Sequence, residues 1–286
     1  MLVTMKEILD RAQKENYAVP APNVMYELET RAVLELAEEL NSPIILDVIP
    51  TFDQVILELA KKSSIPVAVN LDHGDKYEDI LKTMRKGVTS VMVDRSNLPY
   101  EENVAQVKEI VKIAHAMGIS VEAELGHVGQ GSQYQIDGST ALTNPEEAEK
   151  YVKETNVDAL AIAIGTAHGP YSGVPVIHFD LLKKINSVVD IPLVLHGGSG
   201  TGLDNISKAC KLGINKVNIH TDLIQGAWSE LKETLDSGRK SMLWLDIKTG
   251  YKKVLRKYME ACGCIGKAWK VKPKGVLSEA ISVEVK

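Results

Sequence analysis

Eight short apolar runs, at residues 18–24, 43–48, 66–73, 90–94, 120–126, 159–168, 192–198 and 216–221, alternate along this chain with longer amphipathic stretches. In stretches such as 27–40, 77–86, 103–117 and 146–155, apolar residues recur at three- and four-residue spacing and Gly or Pro tends to follow, the pattern of helices that pack on a sheet. Strands separated by helices pair in parallel, because the helix serves as the crossover that carries the chain back to the same edge. Eight such units predict a TIM-type (β/α)8 barrel. An open, doubly wound sheet competes with it, but that fold more often carries a Gly-x-Gly-x-x-Gly turn after its first strand, where this chain has Asn23-Val24-Met25. The expected organisation is one barrel domain over 1–262, ending in an additional amphipathic helix near 245–261, then a tail over 263–286 with a basic start.

The polar residues favour the barrel. Asn23, Asp47, Asp72 with His73, Asp94, Glu122 with Glu124, His168, His196 and Asn218 fall at or near the C-terminal ends of the predicted strands, where barrel enzymes place their active sites. Three of the histidines, His73, His168 and His196, share one local form: each closes a strand-like run and each is followed by glycine. A lone histidine near a strand end is more often hydrogen-bonded structure than ligand. Three on separate strands can converge, and three neutral imidazoles suit a zinc ion with an open coordination position. His115 falls within a predicted helix and is expected at the surface.

Asp72 adjoins the first of these histidines, placed to act as a general base beside a metal or else to orient a ligand. Glu122 and Glu124 alternate through Ala123 and face one side of the fifth strand, with Glu124 the nearer to the metal. A carboxylate buried there is usually paired or metal-bound. After the seventh strand comes Gly197-Gly198-Ser199-Gly200-Thr201-Gly202, and the eighth closes with Asn218-Ile219-His220-Thr221-Asp222. Backbone nests in these two loops are the usual phosphate site of this fold.

Composition narrows the setting. A net charge of −5 gives no electrostatic reason to expect nucleic acid or an anionic membrane as partner. Three cysteines, Cys210, Cys262 and Cys264, form no disulfide framework and suit a reducing compartment, with the Cys-Gly-Cys pair read as small residues near a helix end. No apolar run approaches the ~20 residues of a membrane span, and residues 5–12 lack the apolar core of a signal peptide. A cytoplasmic enzyme is expected.

Taken together, Val69-Asn70-Leu71-Asp72-His73-Gly74, Ser90-Val91-Met92-Val93-Asp94, Val121-Glu122-Ala123-Glu124-Leu125-Gly126, Ala163-Ile164-Gly165-Thr166-Ala167-His168-Gly169, residues 192–200 and Lys216-Val217-Asn218 resemble, block by block and in order, the class II, zinc-dependent ketose-bisphosphate aldolases. The resemblance implies a lyase that reversibly cleaves a fructose- or tagatose-type ketose bisphosphate to dihydroxyacetone phosphate and glyceraldehyde 3-phosphate. It implies one catalytic Zn2+ on His73, His168 and His196, with Glu124 and Asp94 able to serve an alternative or second ion position, and Asp72 handling the proton of the C4 hydroxyl. Gly169, Gly197, Ser199, Asn218 and Thr221 match the family's site for the dihydroxyacetone phosphate half, where Na+ or K+ is also often found; Asn23, Gly198 and His220 stand beside them. Related enzymes are homodimers or homotetramers.

Two regions depart from the family. After the fifth strand most members carry a Gly-Gly-x-Glu-Asp-like stretch whose glutamate protonates the product carbon, whereas residues 126–137 hold no glutamate, leaving water, His127, Tyr134 or Asp137 for that role. The common Asp-Pro-Arg block before the last helix is also missing, though Lys248 resembles a basic position of the tagatose-type branch. A ketose 1-phosphate without a terminal phosphate therefore competes as substrate. A metal-dependent sugar-phosphate epimerase and a non-catalytic sugar-phosphate-binding protein are the further alternatives. A Schiff-base mechanism would need a lysine near the site, and Lys216 is expected at the opposite end of its strand.

Overall fold

The computed structural model describes residues 1–133, 142–240 and 242–270. Its strands are β1 (Val19–Pro22), β2 (Ile44–Val48), β3 (Val67–Gly74), β4 (Ser90–Val93), β5 (Ser120–Leu125), β6 (Ala159–Ile162), β7 (Leu193–Leu195) and β8 (Ile214–Ile219). All pair in parallel, in the order β1-β8-β7-β6-β5-β4-β3-β2. The remaining gap is bridged where Asn23 pairs with Asp47 and the Val24 amide donates to the Asp47 carbonyl at 2.9 Å. The fold is the expected barrel.

Helix α1 (Met5–Glu15) precedes β1, and α2 (Glu27–Glu39), α3 (Val55–Lys62), α4 (Tyr77–Lys86), α5 (Tyr100–Ala116), α6 (Pro145–Thr155), α7 (Phe179–Val188), α8 (Leu203–Lys211) and α9 (Thr221–Asp236) each follow a strand. The additional helix is α10 (Leu243–Cys262), two residues longer at its start than expected and one at its end. Local chemistry sets these ends. Thr4 caps α1 by accepting from the Glu7 amide at 3.2 Å, and Asn144 caps α6 from ahead of Pro145 by accepting from Glu146 and Glu147. Helix α1 buries Met5, Ile8, Leu9 and Ala12. Its Lys6 amide reaches Ser120 at 3.4 Å, so it covers the N-terminal mouth of the barrel.

β1 ends at Pro22 rather than 24, and two strands stop further short of expectation. β6 ends at Ile162 rather than 168, and β7 at Leu195 rather than 198, because the chain leaves the ladder as soon as the glycine-rich turns begin. His168 and His196 thus stand on loops above the barrel rim rather than in strands. β8 runs two residues earlier than expected, and Thr221, read as its last residue, instead opens α9.

The beginning of the expected tail packs on the barrel. Gly263 ends α10 in the left-handed conformation, the Gly266 amide donates to the Leu40 carbonyl at 3.0 Å, and Ala268 does the same to Asn41 at 2.9 Å. Cys210, Cys262 and Cys264 are free thiols buried in this region, as the small-residue reading of the Cys-Gly-Cys pair expects. Residues 271–286 lie outside the described residues. No described helix is long and apolar enough to cross a membrane.

Candidate metal centre and active site

The three His-Gly segments converge. His73 sits where the β3 register slips between Leu71 and Gly74, with a left-handed φ of 46°, a conformation that costs a non-glycine residue about 1–3 kcal/mol and persists only where the surroundings enforce it. Gly74 beside it is required sterically, since a Cβ there would stand 2.3 Å from the Met92 carbonyl oxygen. His73 Nδ1 lies 2.8 Å from Asp94 Oδ2 and donates to it, so Nε2 is the nitrogen that faces the other two histidines. That Nε2 lies 3.2 Å from His168 Nε2 and 3.1 Å from His196 Nδ1. The far nitrogen of His196 is occupied too, donating at 2.8 Å to Glu122 Oε1, while His168 hydrogen-bonds the Val128 backbone.

Three imidazole nitrogens held at such separations, with the opposite nitrogens committed as donors, suit a cation between them. Zinc with nitrogen ligands at about 2.0–2.1 Å in tetrahedral geometry separates neighbouring nitrogens by about 3.3 Å, so the donor set fits that ion in spacing and chemistry. His73 also belongs to a second cluster with Asp94 and Glu124. Glu124 Oε1 accepts from the Val128 amide at 2.9 Å, but its buried Oε2 has no hydrogen-bond partner among the described residues. Asp94 is held from both sides, Oδ2 by His73 and Oδ1 by the Ser96 hydroxyl at 2.7 Å.

The local field favours positive charge on His73 and opposes it on His168. Burial alone would lower the His73 pKa, yet Asp72 and the bond to Asp94 raise it to about 10. At His168, burial and the neighbouring His196 and His73 together lower it to about 4. Asp72 is the reverse case: burial would raise its pKa, and the positive neighbours, with the Asn23 amide, hold it at about 2. Its two oxygens accept from Asn23 Nδ2 at 2.8 Å and Asn218 Nδ2 at 3.0 Å. Anionic and fixed in orientation, its Oδ1 is 3.9 Å from His73 Nε2, so it borders the same pocket.

That pocket, about 330 Å³, is lined by Asn23, Asp72, His73, His168, Gly169, Gly197, Gly198, Ser199, Asn218, His220 and Thr221, together with Met25, Ile49 and Ile219. The glycine-rich loop forms one wall. Gly197 is left-handed at φ 67°, and a Cβ there would stand 2.3 Å from the Ala167 carbonyl oxygen. Ser199 Oγ accepts from the amides of His220 at 3.1 Å and Asp222 at 3.3 Å, which fastens the loop after β7 to the start of α9. The Tyr171 hydroxyl ties the loops together by donating to the Gly197 carbonyl at 3.1 Å and accepting from the Ala167 amide at 2.8 Å.

Below the histidines, Lys216 corrects the sequence reading. It is wholly buried inside the barrel, not at a remote end, with Nζ 2.7 Å from Glu122 Oε2 and 3.5 Å from Asp47 Oδ2. Burial opposes its charge, but Asp47 and Glu122 outweigh that and raise its pKa, so it remains an ammonium rather than a nucleophilic amine. Sequence reasoning flagged Glu122 as deep and paired but did not find its partner. Ser96, Tyr171 and Asp222 were also missed; nothing but their closeness in sequence to Asp94, His168 and Thr221 marks them. His115 is at the surface as expected, against Asp158 at 2.8 Å. His127 Nδ1 lies 3.0 Å from Ser96 Oγ at the rim. Tyr134 and Asp137, the other groups considered for the second proton, lie outside the described residues.

Comparison with known proteins agrees with this arrangement. The family model for class-II fructose-bisphosphate aldolase matches residues 3–267. Among solved structures, the YdjI aldolase from Escherichia coli K12 is 33% identical, with a TM-score of 0.84 over 94% of this chain and 100% of that one. A candidate fructose-1,6-biphosphate aldolase from Coccidioides immitis is 27% identical, with a TM-score of 0.82 over 92% of this chain and 97% of that one. At 24% identity, the fructose-bisphosphate aldolase of Campylobacter jejuni shares the fold, with a TM-score of 0.77 over 93% of this chain and 96% of its own.

Proposed function

Since this chain belongs to the class-II fructose-bisphosphate aldolase family and is a lyase, we propose that it is a zinc-dependent aldolase that cleaves a phosphorylated ketose to dihydroxyacetone phosphate and an aldehyde in the cytoplasm. The observation that carries this reading is the convergence of His73 Nε2, His168 Nε2 and His196 Nδ1 beside an anionic Asp72. His73, His168 and His196 hold the zinc, and Glu124 with Asp94 offers a second position for it. When bound, zinc supplies Lewis-acid stabilisation of negative charge on oxygen, worth several kcal/mol in such reactions.

The side chains perform the rest. Asp72 takes the proton of the C4 hydroxyl, the C3–C4 bond breaks, and the aldehyde leaves as its carbonyl forms. The electron pair remains with the three-carbon fragment, which becomes dihydroxyacetone phosphate when C3 regains a proton from water or from His127. Asn23 and Asn218 hold Asp72 in the orientation its base role needs. Gly169, Gly197, Gly198, Ser199, His220 and Thr221 bind the phosphate of the three-carbon half, and a monovalent cation fits the same loops. A coupled assay for three-carbon product over a panel of ketose phosphates, before and after chelation and zinc return, tests the proposal. Loss on chelation and recovery with zinc is expected; activity that survives complete zinc removal overturns it.

One observation favours a substrate lacking the second phosphate. Among the described residues, no lysine or arginine lines the pocket, and the sequence from 126 to 142 contains none either. Lys248 and Lys252, the nearest approach to the family's basic position, are both engaged by Glu35. On this reading a ketose 1-phosphate has a kcat/KM equal to or above that of the matching bisphosphate; a strong preference for the bisphosphate removes it.

A further inference from the structure

The pocket has a polar side and an apolar one. Around the rim the strands follow one another as β7, β8, β1, β2 and β3, with β1 and β2 joined through the Asn23–Asp47 pair. The glycine-rich loop after β7 and the turn from β8 into α9 line one side, and Asp72 stands on β3 at the other. Between them the wall is Met25, three residues beyond β1, and Ile49, the residue after β2, both half-buried. Among the described residues the lining takes nothing from the ends of β4 or β5, so beyond Asp72 the pocket continues over these two apolar side chains. Hydrogen-bond donors on this arc are already used. The Asn23 amide donates to the Ile219 carbonyl at 3.2 Å and the Val24 amide to the Asp47 carbonyl at 2.9 Å, while the amides of Met25 and Tyr26 both donate to Glu29 Oε2, at 2.9 and 3.0 Å. Asn23 Nδ2 is directed to Asp72 at 2.8 Å. Lys86, which reaches this part of the rim, donates to the Pro50 carbonyl at 2.7 Å and lies 4.5 Å from the centre of the Phe52 ring. None of these groups is left over for an anion, and the Glu29 carboxylate repels one.

We propose that Met25 and Ile49 select the aldehyde half of the substrate, and that the preferred ketose 1-phosphate ends in a methyl group rather than in a hydroxymethyl or a phosphate. The proposal rests on the retro-aldol reading above, which sets the C1 phosphate on the loops after β7 and β8 and the C4 hydroxyl on Asp72. C5 and C6 then lie past Asp72, where the carbon chain meets Met25 and Ile49. A terminal methyl leaves water there without losing a hydrogen bond. A hydroxyl in the same place gives up water for a wall that offers no donor, and a phosphate gives up more. An apolar pocket rejects an added hydroxyl by up to about 100-fold. With both side chains half-buried, a preference of about 10–100-fold is expected.

The condensation direction gives the cleanest test. Zinc-loaded wild-type protein is supplied with dihydroxyacetone phosphate and one of three acceptors, 2-hydroxypropanal, glyceraldehyde or glyceraldehyde 3-phosphate, each as both enantiomers, and consumption of dihydroxyacetone phosphate is followed. The acceptors differ only in ending in a methyl, a hydroxymethyl or a phosphorylated hydroxymethyl. The expected kcat/KM for 2-hydroxypropanal lies about 10–100-fold above that for glyceraldehyde, with glyceraldehyde 3-phosphate last. Ile49→Thr and Met25→Gln, which place a hydrogen-bonding group on the apolar wall, should each narrow the ratio of the first two. Glyceraldehyde or its phosphate used as well as 2-hydroxypropanal overturns the inference and leaves the aldolase reading standing. No consumption with any of the three overturns that reading, and the inference with it. A wild-type preference that both folded variants keep in full overturns the assignment to Met25 and Ile49; where a variant misfolds, the wild-type ratio and the other variant decide.

Discussion

Two polar layers lie one above the other inside this barrel, two residues apart on the same strands. Asn70 lies below Asp72 on β3, Glu122 below Glu124 on β5, and Lys216 below Asn218 on β8. A strand's two-residue period points each such pair inward. In the upper layer, three imidazole nitrogens face one another; a buried carboxylate oxygen without a hydrogen-bond partner among the described residues occurs in both layers, on Glu124 above and on Asp47 below. In the lower layer, Lys216 sits between Glu122 and Asp47, and Asn70 donates to Asp47 at 2.8 Å. Both layers hold charged groups away from water. The lower layer sets an ammonium between two carboxylates, whereas the upper one gathers imidazoles and carboxylates that suit a cation, and on the proposed function this separates support from chemistry. Glu122 joins them, with one oxygen on Lys216 and the other on His196.

The contrast makes the two layers fail differently. On the proposed mechanism, Asp72→Asn keeps the shape and the three histidines but removes the proposed base, so kcat should fall by about 10²–10⁴, the range general-base groups contribute. Zinc content and unfolding free energy should stay near wild type. A variant that keeps a tenth of the wild-type rate would remove Asp72 from the role of base. Lys216→Met works the other way. It strands two buried carboxylates, which costs about 3–5 kcal/mol, and it loosens the Glu122 contact that fixes His196, for which about 10–100-fold weaker zinc binding is expected. Urea titration and competition with a zinc indicator read the two effects separately. Equal losses from Asp72→Asn and Lys216→Met in both measurements would mean the layers are one unit.

Adding Glu122→Gln to Lys216→Met sharpens the comparison. The double variant removes one charge of each sign, so stability should recover part of what Lys216→Met loses, while zinc affinity should not, because a neutral amide is a weaker acceptor for His196 Nε2. Full additivity of the two substitutions in unfolding free energy would deny the 2.7 Å contact any coupling.

The upper layer was legible in the sequence because its residues carry local marks. Each histidine precedes a glycine, and Asp72 adjoins one of them, so a linear reading could place them at strand ends. The barrel was legible for the same reason, since alternation of strand and helix is written in short-range periodicity. The lower layer was half visible. Glu122 could be placed on the inner face by its spacing from Glu124, but Lys216 finds it only through barrel closure, across 94 residues, and no local pattern encodes that. The β6 and β7 ends were overread because the apolar residues that follow, such as Ala163, Ile164 and Ala167, are buried against the loops rather than paired in the sheet. Burial and strand pairing give the same hydrophobic signal in sequence.

The smallest effect tests whether the lower layer can hold two negative charges. Lys216 lies nearer Glu122 than Asp47, and the asymmetry appears in their acidities. Burial opposes ionisation of both, yet Lys216 and His196 hold Glu122 below its ordinary value, while at Asp47 burial prevails over Lys216 and raises the pKa from 3.8 to about 7. A carboxyl whose folded pKa lies above its unfolded one favours folding fully below the unfolded value and loses that contribution as pH rises through the folded value. For Asp47 the window runs from pH 3.8 to about 7. Asp47→Asn cannot ionise, so its stability relative to wild type should rise across that window and level off above it, on top of a constant offset from the altered Asn70 and Lys216 contacts. Paired urea titrations of the two zinc-free proteins at several pH values give this difference directly, with other titrating groups cancelling. A difference that does not vary with pH would show Asp47 ionised throughout, with Lys216 shared evenly between the two carboxylates.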